Sequence, residues 1–272
     1  MRKIKMPFYF LVILAFVQGV TEFLPVSSSG HLVLIPLVID HNYQGRSIDV
    51  AAHLGTLVAV AVYLRNDLLR MASGMITFGR RNPADGSLAL LVAVATIPII
   101  IVGFFINQAE PTWLFDLETL ATANLVFALL LWNADRLGTT RRVMSDIKIN
   151  GALFIGIAQI LALIPGASRS GVTIMAARYL GFDRVTAAHF SLLLSLPTIA
   201  GAGVLKTYGL IQTNNLVLGT DALIVAAMSC IFAFAAIGFM MRWLARANLT
   251  IFVVYRLFLG SALLLTIKTG YL

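Results

Sequence analysis

The sequence predicts an all-α polytopic membrane protein, with six transmembrane helices plus two re-entrant helical hairpins in an inverted-topology repeat. Three observations carry that expectation. Of 272 residues, 59% are hydrophobic and only 12% charged, where an average soluble domain carries about a quarter charged. The apolar residues fall into blocks of about 20, the length that crosses a bilayer as a helix. Two further blocks are too long for one helix and break at a tip rich in proline, glycine and serine. A mean hydropathy of +0.91 agrees. A single integral membrane domain over 1–272 is expected, with no separate soluble domain.

The elements follow in order. Arg2, Lys3 and Lys5 precede an apolar run and imitate a signal peptide, but no small-x-small cleavage site follows. Residues 8–39 are apolar yet interrupted by Pro25 and the 27–30 serine–glycine run, which reads as helix, irregular tip, helix. Simple spans are expected at 48–64, 87–106 and 118–132. Residues 149–182 repeat the broken pattern around 165–171, and spans at 186–205, 222–243 and 251–267 complete the chain. Irregular backbone at membrane depth is tolerated only where protein buries it or it lines a wet cavity. Pro98 and Pro197 read as kinks.

The loops give a topology. Arg65, Arg70, Arg80 and Arg81 occupy one connection; Arg136, Arg141, Arg142 and Lys148 occupy another, and Arg242 and Arg246 flank a third. The connections at 107–118 and 207–220 lack basic residues, the first carrying Glu110, Asp116 and Glu118. The basic loops are thus expected in the cytoplasm, with both termini outside, although Arg2, Lys3 and Lys5 run against the rule there. Each half, about 8–133 and about 150–268, is one broken hairpin followed by three spans. Gln18 precedes Gly30 by 12 residues, and Gln159 precedes Gly171 by the same 12. Three spans is an odd number, so the second half enters from the opposite face, an architecture that places its site near the midplane.

The polar residues concentrate at the two tips. Gln18 and Glu22 share a helix face at i,i+4, and Ser27, Ser28, Ser29, Gly30 and His31 follow Pro25. The second tip offers Gly166, Ser168, Arg169, Ser170 and Thr173. A charge at the bilayer centre costs several kcal/mol, about 2.5 to 3.5 on the insertion scale. Glu22 and Arg169 should therefore face each other or a shared polar ligand. The set suits a phosphate ester. Arg169 can hold phosphoryl oxygens bidentately, and each tip leads into a helix whose first N–H groups favour an anion. An activated serine can attack phosphorus, with His31 moving a proton and Glu22 as base or metal ligand. Glu22 and Gln18 alone make a poor metal cage, but suit Mg²⁺, which keeps waters and borrows phosphate oxygens. Serines also pack membrane helices or cap them, and Glu22–Arg169 could serve as a structural ion pair; their coincidence at two related breaks favours function. His53 and Asp49 open a span, where packing and a place on the cavity rim are both compatible. His189 reads as packing. Arg256 is an intramembrane arginine, for which function and pairing with backbone carbonyls are both open.

The net charge of +8 does not indicate nucleic acid, because the basic residues sit at segment ends rather than on one face. Cys230 is the only cysteine, which excludes an intramolecular disulfide or thiolate metal cluster.

At the tips the sequence resembles the undecaprenyl-diphosphatase family, also called the bacitracin-resistance protein family. "QGVTEFLPVSSSGH" fits its (E/Q)-x-x-x-E motif with a serine-rich tip, and "PGASRSGVT" fits P-G-x-S-R-S-x-x-T. "IDVAAHLGTLVAV", "TIPIIIVG" and "FSLLLSLP" extend the match over nearly the whole chain. The resemblance implies an integral enzyme of the bacterial inner membrane. It would remove the terminal phosphate of undecaprenyl diphosphate, a polyprenyl diphosphate, recycling the lipid carrier for peptidoglycan and other envelope polymers and conferring resistance to bacitracin. It further implies a divalent cation, Mg²⁺ or Ca²⁺, membrane lipids around it, a homodimer and an active site opening to the periplasm. By the same resemblance Ser28 is the proposed nucleophile, Gln18 and Glu22 fill the acidic positions, His31 is the motif histidine and Arg169 binds phosphate. Ser27, Ser29, Gly30, Gly166, Ser168, Ser170 and Thr173 surround the substrate. Gln18 stands where several relatives have glutamate; a neutral amide cannot be a base, so that role rests on Glu22. "SSGH" also resembles the "PSGH" of the lipid-phosphatase and vanadium-haloperoxidase superfamily, but no Arg-Pro pair exists and Met175 occupies the second histidine's place. The rival from another class is a polyprenyl-phosphate transporter or flippase, since inverted repeats are common among transporters.

Overall fold

The structure, a computed structural model, describes residues 6–39, 45–77, 83–109, 111–138, 140–212 and 219–269. Arg2, Lys3, Lys5, Arg80, Arg81 and Glu110 of the charge pattern lie outside the described residues. The described residues form helices and no strand; an isolated bridge joins Arg142 to Phe182.

The first broken unit is α1 (Phe8–Thr21) and α2 (Ser28–Ile39). Then come α3 (Arg46–Tyr63), α4 (Arg65–Ile76), α5 (Pro83–Ala109) and α6 (Leu117–Leu137). The second broken unit is α7 (Ile149–Gln159), a 3₁₀ turn over Ile160–Leu163, and α8 (Arg169–Tyr179). α9 (Arg184–Gln212), α10 (Thr220–Leu244) and α11 (Thr250–Lys268) complete the chain. Among the described residues six helices are long and apolar enough to cross a membrane: α3, α5, α6, α9, α10 and α11. They cover the six expected spans. α4 was not expected; an amphipathic helix of 12 residues replaces what read as loop, because its charged face lowers the average hydropathy that defines a span.

The packing follows the order of the halves. α1 lies against α10 and α7 against α5; α3 meets α9 and α6 meets α11. Both of the first two contacts run through glycine. A Cβ on Gly19 would lie 2.9 Å from the α10 backbone and one on Gly156 only 2.3 Å from the Ala95 carbonyl, so small residues set these approaches, as is usual between membrane helices. α8 sits at the centre between α6 and α9, with Ser170 through Arg178 all buried. The outer faces carry bare apolar side chains: Leu90, Ile97, Ile101 and Phe105 on α5, and Val254 and Phe258 on α11 are each at least half exposed. Such faces match hydrocarbon rather than water.

One end of the molecule gathers the basic connections. Asp135 accepts from Arg178 Nε at 3.2 Å, Arg184 Nε at 2.7 Å and the Leu249 amide at 3.1 Å, joining α6, α8, α9 and the α10–α11 turn. At the same end Arg70 pairs with Asp85 at 2.8 Å, and His189 meets Asp67 at 3.0 Å. His189 therefore joins α9 to α4 through a polar side-chain contact rather than apolar packing alone. At the other end Asp116 caps α6, accepting the Thr119 amide at 2.8 Å. Bonds from the Thr119 hydroxyl and amide hold its carboxyl below the usual value.

Candidate active site

Both helix breaks turn on a serine in left-handed backbone conformation. Ser27 has φ 74° and Ser168 φ 70°, a region that is unfavourable for any residue with a Cβ and is often found at functional sites. Each stands nine residues after a buried glutamine, Gln18 or Gln159. Each hydroxyl meets that of the serine two positions on: Ser27 with Ser29 at 3.3 Å, Ser168 with Ser170 at 3.2 Å. Ser168 also caps α8, accepting the Gly171 amide at 3.2 Å. In this register Ser28 and Arg169 are counterparts, each opening the helix after the break.

The two counterparts meet on one carboxylate. Ser28 donates to Glu22 Oε2 at 2.8 Å, and Arg169 Nη2 donates to Glu22 Oε1 at 3.2 Å. Gln18 Nε2 donates to Oε2 at 2.9 Å, and His53 Nε2 stands 3.8 Å from the same oxygen. In the second unit Leu163 takes the register of Glu22, so only one of the two tips carries an acid. Arg169 is further held by the Ser191 carbonyl at 3.2 Å, and its guanidinium lies 5.8 Å over the Phe23 ring. A pocket of about 220 Å³ opens on this cluster. Glu22, Ser27, Ser28, Ser29, Ser168 and Arg169 line it, together with His53 and Lys206. Its apolar wall includes Val50, Ile99, Leu163 and Ile199. A shallower groove of about 420 Å³ runs beside α6, but its charged groups are Asp116 and Glu118, which repel phosphate.

The remaining expected residues lie behind the pocket. His31 is not among its lining groups. His31 Nδ1 bonds the Ser27 carbonyl at 2.7 Å, which only accepts, so that nitrogen carries the proton. Nε2 then accepts from the Tyr255 hydroxyl, and the two rings stack at 5.6 Å. With both nitrogens committed, His31 positions the serine tip. Ser170 donates to the Leu24 carbonyl at 2.9 Å and so ties the second tip to the first. Thr173 shares a 2.7 Å bond with Ser191. Gly30 lies against Leu120, and Gly166, at φ 89°, presses its backbone onto the Leu120 carbonyl. Arg256 donates to the carbonyls of Gly166 at 2.8 Å and Ala167 at 3.0 Å, and to Asn124 at 2.7 Å. It therefore pairs with backbone carbonyls and braces the second tip.

Two pocket residues were not singled out for the site from sequence. His53 was only compatible with the rim. Its Nδ1 donates to the Asp49 carbonyl at 2.7 Å, which leaves Nε2 to face Glu22. Lys206 was overlooked, although it is the single lysine or arginine between Arg184 and Arg242.

Among the described residues no group of three or more His, Cys, Asp or Glu could hold a metal. Glu22 is the pocket's one carboxylate, but Gln18 Oε1 is buried without a partner among the described residues. That donor set fits a divalent cation only when phosphate oxygens and water complete its shell.

The model of the family described as bacitracin resistance protein BacA matches residues 11–262. Proteins named undecaprenyl-diphosphatase are similar along nearly their whole length. That of Alcanivorax borkumensis is 45% identical over 261 residues, covering 95% of this chain and 98% of its own. The Maricaulis maris protein is 46% identical over 265 residues, with the same two coverages. The Alteromonas mediterranea protein is 42% identical over 261 residues, again covering 95% and 98%.

Proposed function

The chain belongs to the bacitracin resistance protein BacA family, and from that premise we infer that it is an undecaprenyl-diphosphatase. It hydrolyses undecaprenyl diphosphate to undecaprenyl phosphate and inorganic phosphate, recycling the lipid carrier for envelope polymers and, as the family's name states, conferring resistance to bacitracin. The observation that carries the mechanism is the convergence of Ser28 and Arg169 on Glu22 at the floor of one pocket.

The head group enters between the two tips, and Arg169 neutralises the terminal phosphate. Ser28 Oγ attacks the terminal phosphorus while its proton passes to Glu22. The bond from that phosphorus to the bridging oxygen breaks, and undecaprenyl phosphate leaves. Glu22 passes that proton to the departing phosphate oxygen. Water then attacks the phosphoserine and gives a proton to Glu22, the bond from phosphorus to Ser28 Oγ breaks, Glu22 returns the proton to Ser28, and inorganic phosphate leaves. Glu22 and Gln18 would hold a divalent cation, which would supply charge neutralisation at the phosphoryl oxygens. His31 holds the serine tip through the Ser27 carbonyl. Ser27, Ser29 and Ser168 offer hydroxyls to the phosphate.

The same proposal reads the two broken units as re-entrant hairpins of an inverted repeat, entered from opposite faces. Their matching register at Ser27 and Ser168, and the paired contacts of α1 with α10 and α7 with α5, support it. The enzyme is placed in the inner membrane as a homodimer, with the pocket opening to the periplasm. The pocket's α9 residues lie toward Gln212, away from the basic connections, which supports that side. Purified protein in detergent should release phosphate from undecaprenyl diphosphate, and a chelator should abolish the release until Mg²⁺ or Ca²⁺ is restored. No release under any cation would sink the enzymatic reading; release unaffected by chelator would remove the cation.

A further inference from the structure

We propose that Lys206 binds the inner, lipid-linked phosphate of the substrate, so that the pocket grips a diphosphate at two points rather than one. The proposal rests on the phosphatase reading above and extends it to a residue outside both motifs.

The charges in the pocket lead there. Glu22, Arg169 and Lys206 are its charged lining residues, with His53 beside them. Arg169 and Glu22 cancel each other through their 3.2 Å pair, and the other arm of Arg169 is held by the Ser191 carbonyl. Without Lys206 the pocket is neutral. The substrate head group is not: a terminal phosphate ionises a second time near pH 6, so a diphosphate ester carries about three negative charges at neutral pH. One arginine already engaged by a carboxylate cannot balance them. Lys206, which is exposed and enters no salt bridge among the described residues, offsets one of those charges, and a divalent cation at Glu22 would offset two more.

Its position agrees. The α9 residues lining the pocket are Thr198, Ile199, Ala202, Gly203 and Lys206, which share one helix face. Thr198 to Lys206 covers about 12 Å along the axis at 1.5 Å per residue; Lys206 is exposed while Glu22 and Ser27 are buried, so Lys206 lies toward the mouth and Glu22 toward the floor. Helical side chains lean toward the N-terminus of their helix, which brings the ammonium back over Ala202 and Gly203 into the pocket. These two residues carry little side chain to obstruct it. A terminal phosphate at Ser28 therefore leaves its inner neighbour on the Lys206 side. An interfacial lysine that merely anchors a helix end would have no reason to line the cavity.

Wild type, Lys206→Gln and Lys206→Arg, each checked for unchanged thermal unfolding, are assayed for phosphate release across about 50 to 500 mM salt, where screening shortens steeply. Lys206→Gln should raise KM for undecaprenyl diphosphate about tenfold, the usual scale of one charged hydrogen bond, and leave kcat within about twofold, as for uniform binding. Its KM should lose much of the salt dependence seen in wild type, and Lys206→Arg should restore most of the affinity. Undecaprenyl phosphate retains the inner phosphate, so its inhibition should weaken in parallel. A KM within twofold of wild type, or undiminished inhibition by undecaprenyl phosphate, overturns the assignment of Lys206. A wild type that releases no phosphate sinks the phosphatase reading itself.

Discussion

Glu22 divides two oxygens among Gln18, Ser28, Arg169 and His53, and its neighbours differ in what they lose without it. Ser28 loses only a hydrogen bond, whereas Arg169, nearly buried, loses its counter-charge. Ser28→Ala should therefore cut phosphate release at least about a hundredfold, the scale of a removed acid–base or nucleophilic group, with unfolding temperature nearly unchanged. Glu22→Gln should abolish turnover and also destabilise the fold by about 3 kcal/mol or more, because an unpaired buried charge remains. Activity retained in Ser28→Ala would replace the covalent step by direct attack of water. The pairing of Glu22 with Arg169 was legible in the sequence, since no isolated charge is stable at that depth. The role of His31 was not. Its second partner, Tyr255, is 224 residues away, and only that contact shows both ring nitrogens engaged behind the pocket. His53 escaped for the converse reason: its single link to the site is spatial.

At the scale of elements, spans were legible because hydrocarbon demands about 20 apolar residues per crossing, and breaks because a serine–proline–glycine tip cannot continue a helix. α4 was not, since a 12-residue amphipathic helix averages to an unremarkable hydropathy. The breaks also carry a constraint that sequence hinted at only by composition. Gly166 has φ 89°, and a Cβ there would lie 2.1 Å from the Leu120 carbonyl oxygen. Both the backbone conformation and the space exclude a side chain, so Gly166→Ala should cost at least about 1 to 3 kcal/mol and displace the tip carrying Ser168 and Arg169. A lowered unfolding temperature in detergent, with kcat/KM reduced even well below it, is the expected result. Gly209→Ala is the control, since among the described residues nothing stands within 4 Å of a Cβ there. Equal behaviour of the two variants would show that α6 yields at the second tip and that its geometry is not fixed by this contact.

For the whole molecule the proposal concerns direction, and the charge distribution supports one sense. Arg65, Arg70, Arg136, Arg142, Arg178, Arg184, Arg242 and Arg246 cluster toward one end, while Asp116, Glu118 and Lys206 stand toward the other, on the pocket's side. On the proposed orientation the first group lies in the cytoplasm, as the positive-inside rule expects, and the pocket opens outward. The N-terminal Arg2, Lys3 and Lys5 argue the opposite if they are counted as a loop. Impermeant maleimide labelling decides between them. With Cys230 replaced by alanine, a cysteine at exposed Thr112 should react in intact cells lacking an outer-membrane barrier. One at exposed Ser145, at the arginine-rich end, should react only after permeabilisation. The reverse pattern would place the pocket on the cytoplasmic side, and the N-terminal cluster would then outweigh the loops. Orientation also bears on chemistry: Lys206 and the pocket on Ser28, Glu22 and Arg169 lie toward the Thr112 end, so on this proposal whichever face labels Thr112 is the face on which the diphosphate head group is presented.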